Sequence, residues 1–446
     1  MIADVRTHLS TAAQLVADAA QDRADAALAR LAGRRDVVRL FVPGRIEVLG
    51  KHTDYAGGRS LTCAAERGFS VSYVPRDDDL LRLVDARDGR EAECRVDAAL
   101  APEVGHWSNY PMTVARRLSR NFGPLGRGAD VAFCGTLPRA AGLSTSSALI
   151  TAVFLVIAGV NRLAERPEFT AAIPDDLHLA GYLGSIENGS AFGRLDGDHG
   201  VGTSGGSEDH TAILLSQAGR LTWYRYHPVM PQGRVALDPD YVFVVAASGI
   251  AADKTGSARE KYNRASALVT EIVAIARRPE LQFRRRGSVT LADVLDASPD
   301  ASASLRQLLA DVPASAFPSA ALLGRLEHFL VEDRQVLPAA LEALIAGRLA
   351  EFGALVDRSQ RAAEELLGNQ VPETVTLARL ARDLGAHAAS SFGAGFGGSV
   401  WALVDAARAD AFRNDWLAAY AARHPNAATR AEAFVTRPGP GAGTTG

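Results

Sequence analysis

Residues Pro138 to Ala148 read P-R-A-A-G-L-S-T-S-S-A, a glycine- and serine-rich turn between two apolar runs. Upstream, Ala129-Asp130-Val131-Ala132-Phe133-Cys134 alternates as a strand does. Downstream, Ser146 to Val160 is free of proline and dense in Ala, Leu, Ile and Val, which predicts a buried helix. The turn therefore lies at a helix N-terminus. Backbone N–H groups there lack intrahelical partners and the helix dipole is positive, so an anion is favoured, phosphate above all. Gly142 lets the backbone come close, and Ser144, Thr145, Ser146 and Ser147 offer hydroxyls for phosphate oxygens or a Mg²⁺ ion. Read alone, the same stretch also serves as a serine-rich helix cap.

Working outward towards the N-terminus, a short apolar strand over Val37 to Val42 leads into V-P-G-R-I-E-V-L-G-K-H-T-D-Y-A-G-G, Val42 to Gly58. One segment here gathers a guanidinium (Arg45), an imidazole (His52), a carboxylate (Asp54) and a phenol (Tyr55). Polyhydroxylated ligands need such convergent donors and acceptors, because each hydroxyl both gives and accepts a hydrogen bond. Towards the C-terminus, Ser390 to Ser399 reads S-S-F-G-A-G-F-G-G-S and precedes a strand over Val400 to Val404.

The three stretches resemble, in order, the motifs of the kinase superfamily named for galactokinase, homoserine kinase, mevalonate kinase and phosphomevalonate kinase (GHMP). Pro138 to Ala148 is similar to P-x-x-x-G-L-S-S-S-A, Val42 to Gly58 to the galactokinase signature P-G-R-V-N-L-I-G-E-H-T-D-Y-N-G-G, and Ser391 to Ser399 to T-G-A-G-F-G-G-C. The resemblance implies an α+β, two-domain GHMP kinase fold with its active site in the cleft between domains. It implies ATP-dependent phosphorylation of a monosaccharide such as galactose, on the anomeric C1 hydroxyl, with ATP as co-substrate and Mg²⁺ as cofactor.

Roles follow from the same resemblance. Arg45 stands beside the reacting hydroxyl and Asp209 is the catalytic carboxylate, with Asp198 as the competing assignment. Glu47, Lys51, His52, Asp54, Tyr55 and Tyr262 line the sugar. Trp107, within a W-x-N-Y match that opens a helix to about Asn121, lies near the adenine. Pro138, Gly142, Leu143, Ser144, Thr145, Ser146, Ser147, Gly393 and Gly395 surround the phosphates, and Ser146 and Glu187 hold Mg²⁺.

Several positions depart from the family. Glu47 stands where Asn is usual, Lys51 where Glu is usual, and Phe392 where Thr is usual. A buried, unpaired ammonium at Lys51 costs several kcal/mol, on the order set by ion desolvation. Either Lys51 meets an acidic substrate, such as the carboxylate of galacturonate or glucuronate, or Glu47 and Lys51 neutralise each other and the substrate is an ordinary hexose. The family's G-x-M-D-Q motif is represented by Ser207-Glu208-Asp209-His210, after an extra glycine-rich stretch, Gly189 to Gly206, which reads as an active-site loop or lid. The altered residues also keep open a non-catalytic sensor of sugar and nucleotide.

At 446 residues the chain exceeds the usual single-core size. The expected organisation is an N-terminal helical segment (1–35), an N-terminal kinase domain (36–230), a C-terminal kinase domain (231–437) and a flexible tail (438–446), with residues 284–368 as helical scaffold. Lys plus Arg number 48 against 51 Asp plus Glu, a net charge of −3, which asks for neither nucleic acid nor an anionic membrane as partner. The partners expected are the sugar and ATP, in a monomer or dimer. Cys63, Cys94 and Cys134 are scattered singly, without metal spacing, which fits a reduced, cytoplasmic setting.

Overall fold

The strand that enters the signature does not end at Val42. In the computed structural model, which describes residues 5–33, 36–103, 105–252, 256–278, 290–311 and 315–445, β1 spans Val38–Leu49 and stays buried from Leu40 onward. It therefore carries Arg45 and Glu47 on the strand itself. Its antiparallel partner β2 (Arg59–Pro75) pairs Val42 with Phe69 and Arg45 with Ala64, and the register shifts between Pro43 and Arg45. Pro43 has no N–H to give the ladder, which accounts for a break at this point.

Around this hairpin lie β3 (Leu80–Asp85), β4 (Glu91–Arg95), β5 (Ala129–Gly135), β6 (Arg220–Arg225) and β7 (Met230–Ala236). A second sheet is made of β8 (Tyr241–Ala247), β9 (Ala388–Phe392), β10 (Ser399–Asp405) and β11 (Glu432–Thr436). The chain then returns to the first sheet as β12 (Gly443–Thr444), giving the order β12-β1-β2-β5-β3-β4 with β6 and β7 branching from β2; the second sheet runs β11-β8-β10-β9. All pairings are antiparallel except β3 with β5.

Helix α1 (Thr11–Ala32), started by the Ser10 hydroxyl accepting from Ala13 N, lays Ala20, Ala24, Ala27 and Leu28 on Val74, Val84, Ala132 and Cys134. On the opposite face α2 (Asn109–Phe122) and α3 (Thr145–Val160) share one core with Leu40, Val42, Phe69 and Val71. One face of the second sheet packs Val242, Val244, Val400 and Ala402 on Trp416 and Tyr420. Its other face, Phe243, Val245 and Trp401, meets Ile46, Val48 and Leu61 of the first sheet. The two sheets thus share a core at the base of the cleft.

Three expectations on organisation need revision. The first sheet extends through Ala236 and the second begins at Tyr241, so the change of sheet falls slightly later than residue 230. Residues 438–445 are no loose tail: Thr444 and Gly443 pair with Leu40 and Phe41, Gly439 N donates to Ala64 O at 2.8 Å, and Ala442 N to Ile213 O at 2.8 Å. These backbone groups close the free edge of β1. The extra stretch Gly189 to Gly206 is likewise pinned, not poised as a lid. Arg116 Nε binds Asp198 Oδ2 at 2.6 Å, Arg117 Nη2 donates to Ser190 O at 2.7 Å, and Val201 N to Glu187 O at 2.9 Å. Among the described residues no helix is long and apolar enough to cross a membrane.

Candidate active site

The serine-rich turn begins α3 as its sequence requires. Ser144 caps the helix in the left-handed region (φ 58°), and Ala140 is also at positive φ (49°), a cost of order 1 kcal/mol that surrounding bonds must offset. Those bonds are Ala252 N to Ala140 O at 2.7 Å, Ser399 Oγ to Ala141 O at 2.7 Å and Arg45 N to Leu143 O at 3.2 Å. The hydroxyls of Ser144 and Thr145 are buried without a hydrogen-bond partner among the described residues. Orphaned donors at a helix N-terminus are a fit for phosphate oxygens.

Two cavities meet at this turn. The first is lined by Arg45, Glu47, His52, Asp54, Tyr55, Thr203, Gly205, Gly206, Glu208, Asp209, Tyr262, Gly393 and Ala394, with Glu187 at its rim. The second is lined by Trp107, Tyr110, Phe69, Phe133, Arg87, Arg90, Arg139, Thr145 and Ser146. Gly142, Ser144 and Ala252 belong to both. A ligand on one side can therefore reach a ligand on the other across the glycine–serine turn.

The first cavity is organised by Arg45. Its Nε and Nη2 each lie 2.8 Å from Asp209 Oδ1, its Nη1 donates to Gly142 O at 2.7 Å, and Glu208 Oε1 stands 3.5 Å from Nε. The guanidinium also sits 5.8 Å from the centre of the Phe392 ring. Burial opposes its charge, but Asp209, Glu208 and Glu47 more than compensate and raise its pKa. Asp209 Oδ2 accepts from Ser147 Oγ at 3.2 Å. Asp198, bound to Arg116, does not line this cavity.

Behind Asp209 a chain of oxygens leads to Glu187. Ser147 Oγ donates to Glu187 Oε2 at 2.7 Å, His210 Nε2 lies 2.9 Å from the same oxygen, and Ser146 Oγ reaches Glu187 Oε1 at 3.4 Å. Oxygen donors of this kind suit Mg²⁺, which takes one or two protein ligands and completes its shell with phosphate and water. Among the described residues no group of three or more His, Cys, Asp or Glu side chains forms a self-sufficient metal site.

Glu47 Oε2 accepts from Gly393 N at 2.7 Å, and burial, the largest influence, pushes its carboxyl up to about 7 against the pull of Arg45 and Lys51. His52 Nδ1 lies 2.8 Å from Tyr55 Oη, and its Nε2 faces Ala394 O at 3.2 Å. Asp54 lies so close to the Gly206 backbone that a Cβ there would meet Oδ2 at 2.3 Å; only glycine fits. Tyr262 packs on His52 with ring centres 5.4 Å apart.

Lys51 departs from both sequence readings. It is buried (1 % exposed), lines neither cavity, and donates from Nζ to Ser359 Oγ at 2.7 Å. Ser359 in turn donates to Glu332 Oε1 at 2.9 Å, and that oxygen also accepts from Gly50 N at 2.8 Å and Lys51 N at 3.2 Å. Glu47 feels the charge of Lys51 without an ion pair among the described residues, and Lys51 lies on the wall of neither cavity. Glu332 supplies the negative charge, from a region expected to be scaffold.

Other expected residues divide between the cavities. Trp107, Thr145 and Ser146 line the second; Gly393 lines the first, its φ of 79° and its contact with Gly142 leaving no room for a side chain. Pro138, Leu143, Gly395 and Ser147 line neither: Leu143 is core, and Ser147 acts through Glu187 and Asp209. Residues missed by the sequence reading are Thr203 and Glu208 on the cavity wall, the Arg87, Arg90 and Arg139 cluster at the second cavity, and Arg325. Arg325 Nη2 donates to His52 O and, at 3.3 Å, to Tyr55 Oη. Glu208 had a signal in its place beside Asp209; Arg325 had none.

The serine-rich helix N-terminus at which the two cavities meet falls within a segment matched by a GHMP kinase model. Family models agree: the GHMP kinases N terminal domain matches residues 109–191 and the GHMP kinases C terminal model residues 340–422, while the galactokinase galactose-binding signature matches residues 30–75. The chain is 30% identical over 406 residues to the galactokinase of Roseiflexus sp. (strain RS-1), covering 90% of this chain and 91% of that one. The galactokinase of Chloroflexus aggregans is 29% identical, covering 89% of this chain and 92% of that one. The crystal structure of Lactococcus lactis galactokinase complexed with galactose superposes with a TM-score of 0.77 at 24% identity, over 96% of this chain and 99% of that one. The chain belongs to the galactokinase family.

Proposed function

We propose that the protein transfers the γ-phosphoryl group of ATP to the anomeric C1 hydroxyl of a neutral hexose such as galactose. The observation that carries this reading is the contact of Arg45 with both Asp209 and the phosphate turn, where the sugar and nucleotide cavities meet.

ATP enters with its base at Trp107 and Tyr110 and its phosphates along the α3 N-terminus, where the Ser144 and Thr145 hydroxyls and free amides receive them. The sugar lies against His52, Asp54, Tyr55 and Tyr262 with C1 facing Asp209. Phosphoryl transfer passes through a loose transition state, so holding donor and acceptor in line matters more than a strong base. Asp209, paired with Arg45, takes the C1 hydroxyl proton as the oxygen bonds to the γ-phosphorus and the bond from that phosphorus to the bridging oxygen breaks, so that ADP leaves. Arg45 also stabilises charge on the moving group. Ser146 and Glu187 would hold Mg²⁺, which supplies charge neutralisation on the phosphates.

The lost alternative matters to the substrate. A uronic acid would bring its carboxylate into a cavity whose one arginine is already engaged, while Lys51 is spent on Ser359 and Glu332. The test is ADP release over galactose, arabinose, galacturonate and glucuronate, with phosphorus NMR of the product. A C1 phosphate formed from galactose is the expected result. Tight sugar binding without ADP from any sugar would replace the enzyme with a sensor.

A further inference from the structure

Two polar side chains of the first cavity have no side-chain hydrogen bond among the described residues. Glu208 is 4 % exposed and lines the wall, yet its carboxyl accepts no hydrogen bond from the described residues. Its nearest cation is Arg45 Nε at 3.5 Å, whose N–H groups are already directed to Asp209 and Gly142 O. Thr203, also 4 % exposed and on the same wall, has a buried hydroxyl without a partner. Leaving a buried polar group without a hydrogen bond is costly, so two facing one cavity call for a ligand that completes them.

Both come from the segment in which this chain departs from its family. Thr203 lies within the glycine-rich insertion, and Glu208 occupies the methionine position of G-x-M-D-Q. Glu47 lines the same cavity where the family has asparagine. Burial first, and the Glu47 carboxyl second, push Glu208 well above the usual carboxylate range despite Arg45. The wall is thus rich in acids that either hold a proton or lack a cation.

We propose that Glu208 and Thr203 are specificity-determining residues which together take one hydroxyl or amino donor of the sugar, so that the site accepts neutral and amino sugars and rejects uronic acids. A hydroxyl donates to the Glu208 carboxyl and accepts from Thr203. An ammonium donates to Glu208 and lets that carboxyl ionise. A carboxylate adds negative charge to a wall that already holds Glu47, Glu208 and Asp209, and the arginine lining that wall is paired with Asp209. The inference rests on the sugar-kinase reading and deepens it.

The test uses galactose, 2-amino-2-deoxygalactose and galacturonate with the wild-type chain, Glu208→Gln, Thr203→Val and Thr203→Ser, each checked for wild-type melting temperature. In the wild type, kcat/KM for galacturonate should fall about 100-fold or more below that for galactose. Glu208→Gln should raise the KM for amino sugar about 10-fold or more and shrink the penalty on galacturonate by a similar factor. Thr203→Val should raise sugar KM several-fold and Thr203→Ser should restore it, with the KM for ATP unmoved in both. Galacturonate used within 10-fold of galactose by the wild type overturns the proposal, as does a folded Glu208→Gln with the wild-type discrimination. Calorimetric binding of the same three sugars reads the discrimination without turnover. Absence of ADP with every sugar would therefore sink the kinase reading alone, while equal binding of galactose and galacturonate would sink this one.

Discussion

Asp209 and Arg45 form the pair on which turnover should depend most. With a carboxylate 2.8 Å from the guanidinium and Ser147 on its other oxygen, Asp209 is held in one orientation towards the cavity. Asp209→Asn keeps the shape and removes the base, and should lower kcat about 10²-fold or more with sugar affinity retained, read by calorimetry beside steady-state rates. Glu47 makes a different prediction. Its folded-state value, about 7 against an ordinary 4.5, means that the folded protein keeps a proton which the unfolded chain releases. Its contribution to stability is therefore full below pH 4.5 and falls as pH rises towards 7. Glu47→Gln should abolish that slope, so the difference in melting temperature between variant and wild type should grow from pH 5 to pH 7 in favour of the variant. Phe392 shows why a departure from a motif need not be a loss: in place of a threonine it offers a ring face to Arg45 at 5.8 Å.

The elements that hold the signature come from far along the chain. A wide π-type turn over Leu330–Val336 presents Glu332 to the amides of Gly50 and Lys51 and Asp333 to Arg59 N at 2.7 Å. Such turns rarely persist without a task. Glu332→Ala would strand the Lys51 ammonium and two backbone donors in a dry interior. It should cost about 3 to 5 kcal/mol, measured by chemical denaturation. The double change Lys51→Met with Glu332→Gln should recover part of that loss, because the charge and its partner leave together.

Much of the site was legible because it is local. Arg45, His52, Asp54 and Tyr55 lie within one short segment, and the turn at Ser144 announces itself by glycine, serines and the apolar helix that follows. The support for that segment was not legible. Glu332, Ser359 and Arg325 sit on amphipathic helices whose charged residues read as solvated faces, and only the packing of those helices on the signature turns them inward. Lys51 was misread for the same reason: its counter-charge lies on a different element, beyond the range of any motif.

At the scale of the whole molecule, the two sheets are joined at the floor of the cleft by Ile46, Val48 and Leu61 against Phe243, Val245 and Trp401. Trp401 Nε1 also donates to Glu47 O at 3.1 Å, tying the second sheet to the strand that bears Arg45. The last described residues complete the first sheet. Removing residues 438–446 would expose the outer edge of β1 and leave the carbonyls of Ala64, Ile213 and Ser216 without their N–H donors. A melting temperature lowered by several degrees and concentration-dependent aggregation are the expected results, followed by calorimetry and light scattering.

The placement of β12 also has a bearing on how the molecule comes into being. Leu40 leaves the ribosome long before Thr444, the neighbour that shields its strand. Until then the nascent chain presents an open ladder beside its future catalytic centre, a natural point for a chaperone to hold and for stray chains to dock.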